Sequence, residues 1–247
     1  EDINLLLTPM VQDGIEASGS MGNDTPLAIL SDKPRLLYDY FKQIFAQVSN
    51  PPVAAIREEL VMSLTSRLGP QRNILAPEPK HARMLKLHHP VISNEELSKI
   101  KEIDFQDFRS STIDILFRSR NGEKGLSIAL REICEQAENE VEAGCSLLVL
   151  SDRGVKEDFL PIPALLAVAA VHHYLILRRT RHKTGIIVET GEAREIAHFC
   201  LLISYGAGAI NPYLAFETFD QMLNQKVLPS DLTTEKANDN YLKAIRK

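Results

Sequence analysis

Ser146-Leu-Leu-Val-Leu-Ser-Asp-Arg-Gly154 decides the fold: it is an unbroken apolar run that stops at a polar turn. A strand with no polar alternate has both faces buried. That is the habit of a parallel sheet covered on each side, not of an antiparallel sheet with one wet face. The pattern recurs at Gly185 to Val188, which runs into Glu189-Thr-Gly-Glu192, and at Ala207 to Ile210, which runs into Asn211-Pro212. Upstream, Thr112 to Phe117 is a β-branched apolar run of the same kind. Helical spacing fills the gaps. Leu126, Leu130, Ile133, Ala137 and Val141 mark a helix closed by Gly144. Residues 162–178 are apolar all round and read as a buried helix, and further helices follow at about Glu192–Tyr205, Tyr213–Asn224 and Asn238–Arg246. This repeated strand–helix alternation predicts the α/β class with right-handed parallel units. Two closures fit it, an open doubly wound sheet or part of a (β/α) barrel, and the units are too few for a complete barrel.

The first 110 residues have a different texture, mostly irregular with short helices, so the chain divides into a helical and irregular portion (1–110) and β/α repeats (111–247). A helix is expected from near Asp32 or Pro34 to Val48, with proline in the first turn where its missing N–H costs nothing, and Asn50-Pro-Pro52 stops it. A second helix is expected over about Ala54 to Ser66. Residues 69–92 contain four prolines and little periodicity, and read as a long ordered loop. Ser93-Asn-Glu-Glu96 is a capping box that starts a short helix.

Composition narrows the function. The 247 residues carry a net charge of −5 with dispersed basic residues, which argues against nucleic acid as a partner. The cationic cluster Arg178-Arg179 with Arg181-His182-Lys183 is the one local exception, and the last turn of a helix accounts for it. The apolar run from Pro161 to Leu177 is interrupted by His172-His173, which favours a buried helix over a membrane span. Three cysteines without a C-x-x-C pair predict a reducing compartment and no disulfide framework. The acidic start, Glu1-Asp-Ile-Asn4, lacks the basic region of a secretion signal, so the expected location is the cytoplasm or the plastid stroma. The seven histidines show no metal-ligand spacing, and no metal site is expected. Gly206-Ala-Gly208-Ala does not read as a dinucleotide loop, because it follows a helix rather than a strand and lacks the third glycine.

Ligands of parallel α/β folds bind at the carboxyl ends of the strands. Here those ends bring Asp152, Glu189 and Asn211 toward one mouth. One reading is a small-molecule site whose paired carboxylates move protons. The other is structural: Asp152 and Thr190 cap the following helices, and Glu189 pairs with Arg153 or Arg194. The stretch from Gly19 to Pro52 is polar and glycine-rich but holds no His or Cys, so it reads as functional without being catalytic.

Gly19-Ser-Met-Gly-Asn-Asp-Thr-Pro-Leu-Ala-Ile-Leu-Ser-Asp-Lys-Pro34 resembles the central domain of glutamate synthase, of the large (α) or ferredoxin-dependent chain. Ile56-Arg-Glu-Glu-Leu-Val-Met-Ser63, Leu150-Ser-Asp-Arg-Gly154, Pro161-Ile-Pro-Ala-Leu-Leu-Ala-Val-Ala-Ala-Val-His-His173, Val188-Glu-Thr-Gly-Glu-Ala-Arg194 and Asn211-Pro-Tyr-Leu-Ala215 extend the likeness in order over nearly the whole chain. The resemblance implies a partial, reduced barrel-like domain over 1–247, without a cofactor of its own. It implies neighbours in the same polypeptide: an amidotransferase domain that releases ammonia from glutamine, and an FMN-binding synthase domain with a 3Fe–4S cluster. That enzyme makes L-glutamate from L-glutamine and 2-oxoglutarate. The central domain connects the two and helps line the ammonia tunnel; by position Ser20, Met21, Gly22, Asn23, Ser49 and Asn50 resemble its lining. Ser49 stands where the family often has threonine, and Ala54-Ala55 stands where it typically has Asp-Pro. The expectation from the resemblance is a segment with no catalytic residue, inactive alone. The alternative is a free-standing α/β enzyme working at Asp152, Glu189 and Asn211.

Overall fold

In the computed structural model, which describes residues 3–16, 26–41, 57, 62–229 and 231–246, the strands are short. They are β1 (Ser66–Leu68), β2 (Leu85–Leu87), β3 (Asp104–Phe105), β4 (Phe108–Asp114), β5 (Leu116–Arg118), β6 (Leu147–Ser151), β7 (Phe159–Pro161), β8 (Gly185–Glu189) and β9 (Ala209–Asn211). The α-helices among the described residues are α1 (Thr8–Asp13), α2 (Asn94–Lys101), α3 (Gly122–Glu142), α4 (Ala164–Leu177), α5 (Ile196–Ser204), α6 (Tyr213–Asn224) and α7 (Thr234–Arg246). Contacts group the chain into two compact units, residues 66–218 and residues 1–65 with 219–247.

The first unit is built on one sheet of order β3-β4-β6-β8-β9. From β4 to β9 the pairing is parallel, and spatial order follows chain order. A doubly wound sheet reverses its strand order at a switch point; this sheet does not, so every right-handed crossover lays its helix on the same face. Accordingly α3 packs on β4, α4 on β6 and β8, and α5 on β9. The sheet is therefore the arc of a (β/α) barrel. The β3–β4 hairpin flanks one edge. At the other, the backbone N–H of Ile92 donates to Ile210 O at 2.9 Å, and Ile210 N–H donates to Pro90 O at 2.7 Å.

Register explains why the runs are apolar throughout. Thr112, Val149, Ile187 and Ala209 stand in one row across the sheet, with all but the edge residue Thr112 buried. Alternate residues such as Leu148, Leu150, Ile186, Val188 and Ile210 are equally buried and point the other way, toward the helices. The inner face, which further strands would cover in a complete barrel, is closed by chain-local means. Leu68 from β1, Leu87 from β2, and Leu97 and Ile100 from α2 pack with Leu147, Val149, Ile187 and Ala209 in one core cluster.

That closure corrects two expectations. Residues 62–65 are not helical and Ser66 opens a strand, held by pairing with Leu87 and by its hydroxyl donating to Gly208 O at 2.7 Å. The long loop over 69–92 contains β2 and a 3-10 turn, Pro79–Ala82, stapled by reciprocal Glu78–His81 bonds. Non-local pairing decided both, which sequence periodicity does not report. The Ser93 capping box forms as expected: Glu96 N–H donates to Ser93 Oγ at 3.2 Å, and Ser93 N–H to Glu96 Oε2 at 2.8 Å. The Thr112 to Phe117 run is split at Ile115, whose N–H donates to Ser151 O and whose carbonyl accepts from Ile162, so that β5 leaves the sheet to pair with β7.

In the second unit α1 packs on α7. Asn240 Nδ2 donates to the carbonyls of Val11 at 2.8 Å and Gln12 at 3.1 Å, which α1 leaves without an intrahelical partner. Gly14 ends α1 at φ 65°. Phe219 and Tyr241 meet edge to face at 4.9 Å. Of the helix expected from Asp32 to Val48, the described part is a 3-10 turn, Leu37–Tyr40, preceded by extended backbone at Leu36. Residues 42–50 lie outside the described residues, as does most of the second expected helix.

Candidate functional site

The mouth of the arc lies where β6, β8 and β9 end, and parallel pairing brings Asp152, Glu189 and Asn211 there together. All are buried, with Asn211 at 0% exposure and both acids at 3%. The structural reading holds for Glu189. Its Oε2 accepts from Ser151 Oγ at 2.5 Å and from Lys101 Nζ at 2.6 Å; its Oε1 accepts from Arg153 Nε at 2.9 Å. Arg153 is thus an arginine partner of Glu189, as one of the two expectations had it. Its Nη1 reaches on to Glu217 at 2.8 Å, and its guanidinium lies 4.3 Å from the Tyr213 ring centroid.

Asp152 takes a different set. Thr190 Oγ1 donates to it at 2.6 Å, Gly191 N–H at 3.0 Å, and the Tyr213 hydroxyl also bonds to it. The expected capping role is corrected here: no helix starts beside Asp152 or Thr190, since β7 and an irregular turn intervene. Asp152 instead bridges two strand ends. Glu192 is the residue that caps, its Oε2 accepting Ala164 N–H at 2.9 Å at the start of α4. Asn211 Nδ2 spends both its donors, on Ile92 O at 3.0 Å and Asn94 Oδ1 at 2.9 Å, tying β9 to the start of α2.

Burial sets the protonation of these groups, and their partners correct it. Desolvation raises the Asp152 carboxyl above its ordinary value, against the opposing pull of Thr190, Gly191 and Tyr213. Desolvation also pushes Glu189 up, but Lys101, Ser151 and Arg153 together outweigh it and hold that carboxyl below its ordinary value. The Tyr213 hydroxyl is raised by burial and by Asp152. A cavity of about 370 Å³ adjoins, lined by Asn94, Leu97, Ser98, Lys101, Arg153, Glu189 and Asn211. Its one acid among the described residues, Glu189, is saturated by two cations and a hydroxyl, which makes it a weak base and a poor acid at neutral pH. The two buried thiols offer no substitute: Cys134 is pushed up to about 11, chiefly by burial, and burial raises Cys145 too.

Sequence reasoning missed Lys101, which lies 88 residues from Glu189, and the capping role of Glu192. Neither carries a local signal. The two glycines rejected as a dinucleotide loop have packing roles: Gly206 turns the chain at φ 113° after α5, and Gly208 admits Leu68, whose Cδ2 would stand 2.2 Å from an added Cβ. Among the described residues no cluster of three or more His, Cys, Asp or Glu could hold a metal, and no helix is long and apolar enough to cross a membrane. Ser20, Met21, Gly22, Asn23, Ser49 and Asn50 lie outside the described residues, as do Asp24, Ala54 and Ala55.

The fold and mouth define a class: a partial (β/α) barrel whose inner face is plugged by its own hairpin and helix, with its strand-end acids bonded internally. The family model described as the glutamate synthase central domain matches residues 1–247. The chain is 48% identical over 245 residues to the NADPH glutamate synthase large chain of Bacillus subtilis (strain 168), covering 99% of this chain and 16% of that protein. It is 42% identical over 247 residues to the NADH glutamate synthase of Schizosaccharomyces pombe, covering 99% and 12%. It is 42% identical over 257 residues to the ferredoxin-dependent glutamate synthase of Antithamnion sp., covering 100% and 16%. This chain belongs to the glutamate synthase central domain family, and spans between 12% and 16% of the length of these relatives.

Proposed function

We propose that this chain is the non-catalytic central segment of a glutamate synthase. It joins a glutamine amidotransferase domain to an FMN-binding synthase domain and helps line the ammonia passage between them. The polypeptide so formed makes L-glutamate from L-glutamine and 2-oxoglutarate, with FMN and a 3Fe–4S cluster held by the synthase domain. The observation that carries the reading is the mouth itself. In a complete barrel enzyme the strand ends present reactive groups; here Asp152 and Glu189 are spent on internal donors, and the inner face is filled by Leu68, Leu87, Leu97 and Ile100.

Passage of ammonia asks for a surface without acids. Ammonia must travel neutral, because a carboxylate on its path would trap it as ammonium. Ser20, Met21, Gly22, Asn23, Ser49 and Asn50 offer weak polar and apolar groups and no charge, which is what such a lining requires. The alternative of a free-standing enzyme loses its reagents to the same internal bonds.

The experiment is an FMN titration of the purified 247-residue chain, followed by flavin fluorescence, beside a glutaminase assay. No flavin binding and no ammonia release from glutamine are expected. Stoichiometric FMN binding would sink the proposal.

A further inference from the structure

The cationic cluster that follows α4 has no part in that function, and its side chains divide in an informative way. Arg178 is accounted for by Glu138, its Nε 2.9 Å from Oε1. Arg72, Arg83 and Arg153, in the same unit, also face acids. Arg179 and Arg181 do not: among the described residues neither has a carboxylate partner.

Arg181 is half-buried and fixed on neutral acceptors. Its Nε donates to His172 Nδ1 at 2.9 Å, Nη1 to Thr184 O at 2.7 Å and Nη2 to Gly206 O at 2.9 Å. Burial lowers this guanidinium from its ordinary value, as expected of a cation taken from water without a counter-charge. Because His172 Nδ1 accepts, the ring proton sits on Nε2 and that nitrogen is a donor. Only a glycine fits opposite: a Cβ on Gly206 would stand 2.2 Å from His172 Nδ1. Arg179 occupies the left-handed position that ends α4, at φ 60°, where glycine is the usual residue.

These groups surround a cavity of about 390 Å³ lined by Gln71, His172, Ile176, Arg179, Arg181 and His182. Gln71 is anchored there by its N–H donating to His182 O at 2.7 Å. Among the described residues the lining holds two guanidiniums and two imidazoles and no acid. The cavity lies just before β8, at the opposite ends of the strands from the mouth described above.

We propose that this cavity is an oxyanion site, taking a small carboxylate or phosphate between Arg179, Arg181 and the Nε2–H of His172. Arg179's forked guanidinium matches the paired oxygens of either group, while Arg181, its Nε, Nη1 and Nη2 already donating to neutral acceptors, adds fixed positive charge. The inference does not depend on the passage reading. The oxyanion has two sources, a free anion or a carboxylate borne by another part of the longer polypeptide.

The test is residue-resolved phenylglyoxal modification, read by peptide mass spectrometry, on the full-length polypeptide and on the 247-residue chain. Inorganic phosphate and succinate are the probes, chloride at equal ionic strength is the control, and exposed Arg131 is the reference. At a probe concentration about ten times its apparent Kd, modification of Arg179 should slow about tenfold while Arg131 is unchanged. Protection in both proteins means a free anion. An Arg179 that is unreactive in the full-length polypeptide, but reactive and protected by the probes in the 247-residue chain, means a carboxylate from a neighbouring part. If Arg179 of the 247-residue chain reacts equally with and without either probe, or is unreactive in both proteins, the proposal falls. Neither result bears on the FMN and glutaminase measurements.

Discussion

Asp152 and Glu189 end adjacent strands, yet their surroundings drive their carboxyls in opposite directions. Both are desolvated; the difference is charge. Lys101 and Arg153 both reach Glu189, whereas among the described residues Asp152 meets neutral donors and the field of Glu189. A carboxyl held below its ordinary 4.5 contributes stability that is present above that pH and is lost as pH falls through the lower folded value. Asp152, raised, contributes with the opposite sign. Glu189→Gln should therefore destabilise by about 2 kcal/mol at neutral pH, less than a fully buried pair would lose because Lys101 and Arg153 can rehydrate. Urea midpoints measured from about pH 6 to about pH 3 should fall less steeply for the variant, so the two curves converge in acid. Parallel curves would show that the ion pair does not shape acid stability. Sequence reasoning reached Arg153 as a partner because it lies next to the strand end. It did not reach Lys101, since nothing local tells which helix will be folded over the mouth.

At the scale of elements, the β1–β2 hairpin and α2 do the work that the missing strands of a barrel would do. Leu68 is the contact on which this turns: it lies in the core cluster, and Gly208 is small where Leu68 Cδ2 approaches. Leu68→Ala should cost about 3 kcal/mol, the usual range for a buried leucine. Gly208→Ala alone should also destabilise, because its methyl overlaps Leu68. In the double variant that methyl enters the space Leu68 vacates. Chemical denaturation of the four proteins should give a double-variant loss smaller than the sum by about 1–2 kcal/mol; strict additivity would mean the hairpin is not wedged against β9. The long elements were legible from sequence. Tyr213–Asn224 was placed as it stands, and α3, α4, β6 and β8 to within a few residues, because their apolar spacing is strong over many positions. Ser66–Leu68 and Leu85–Leu87 were not: three-residue strands exist only through their pairing.

At the scale of the whole molecule, the proposed role is transport of a small neutral molecule between active sites. In the full-length polypeptide, Met21→Trp should narrow the passage without touching either chemistry. Glutamine hydrolysis should continue, free ammonia should appear in the medium, and glutamate made per glutamine consumed should fall toward half. Added ammonium should restore synthesis. A variant that keeps the coupling of the parent enzyme, with no ammonia released, would remove Met21 from the lining.

The α/β class, the alternation of parallel strands and helices, the capping box at Ser93 and the family were all legible in the chain itself. Each rests on local periodicity, turn chemistry or an ordered series of motifs, which neighbours in sequence carry together. Only the tertiary structure decided that the arc runs in one direction, that a hairpin and α2 plug its inner face, and that Asp152 and Glu189 are bonded internally while Arg179 and Arg181 have no acid partner among the described residues. Those outcomes depend on which distant groups meet, as Lys101 meets Glu189 and Leu68 meets Gly208. A buried charge or a small void has no signature along the chain until its partner across space is known.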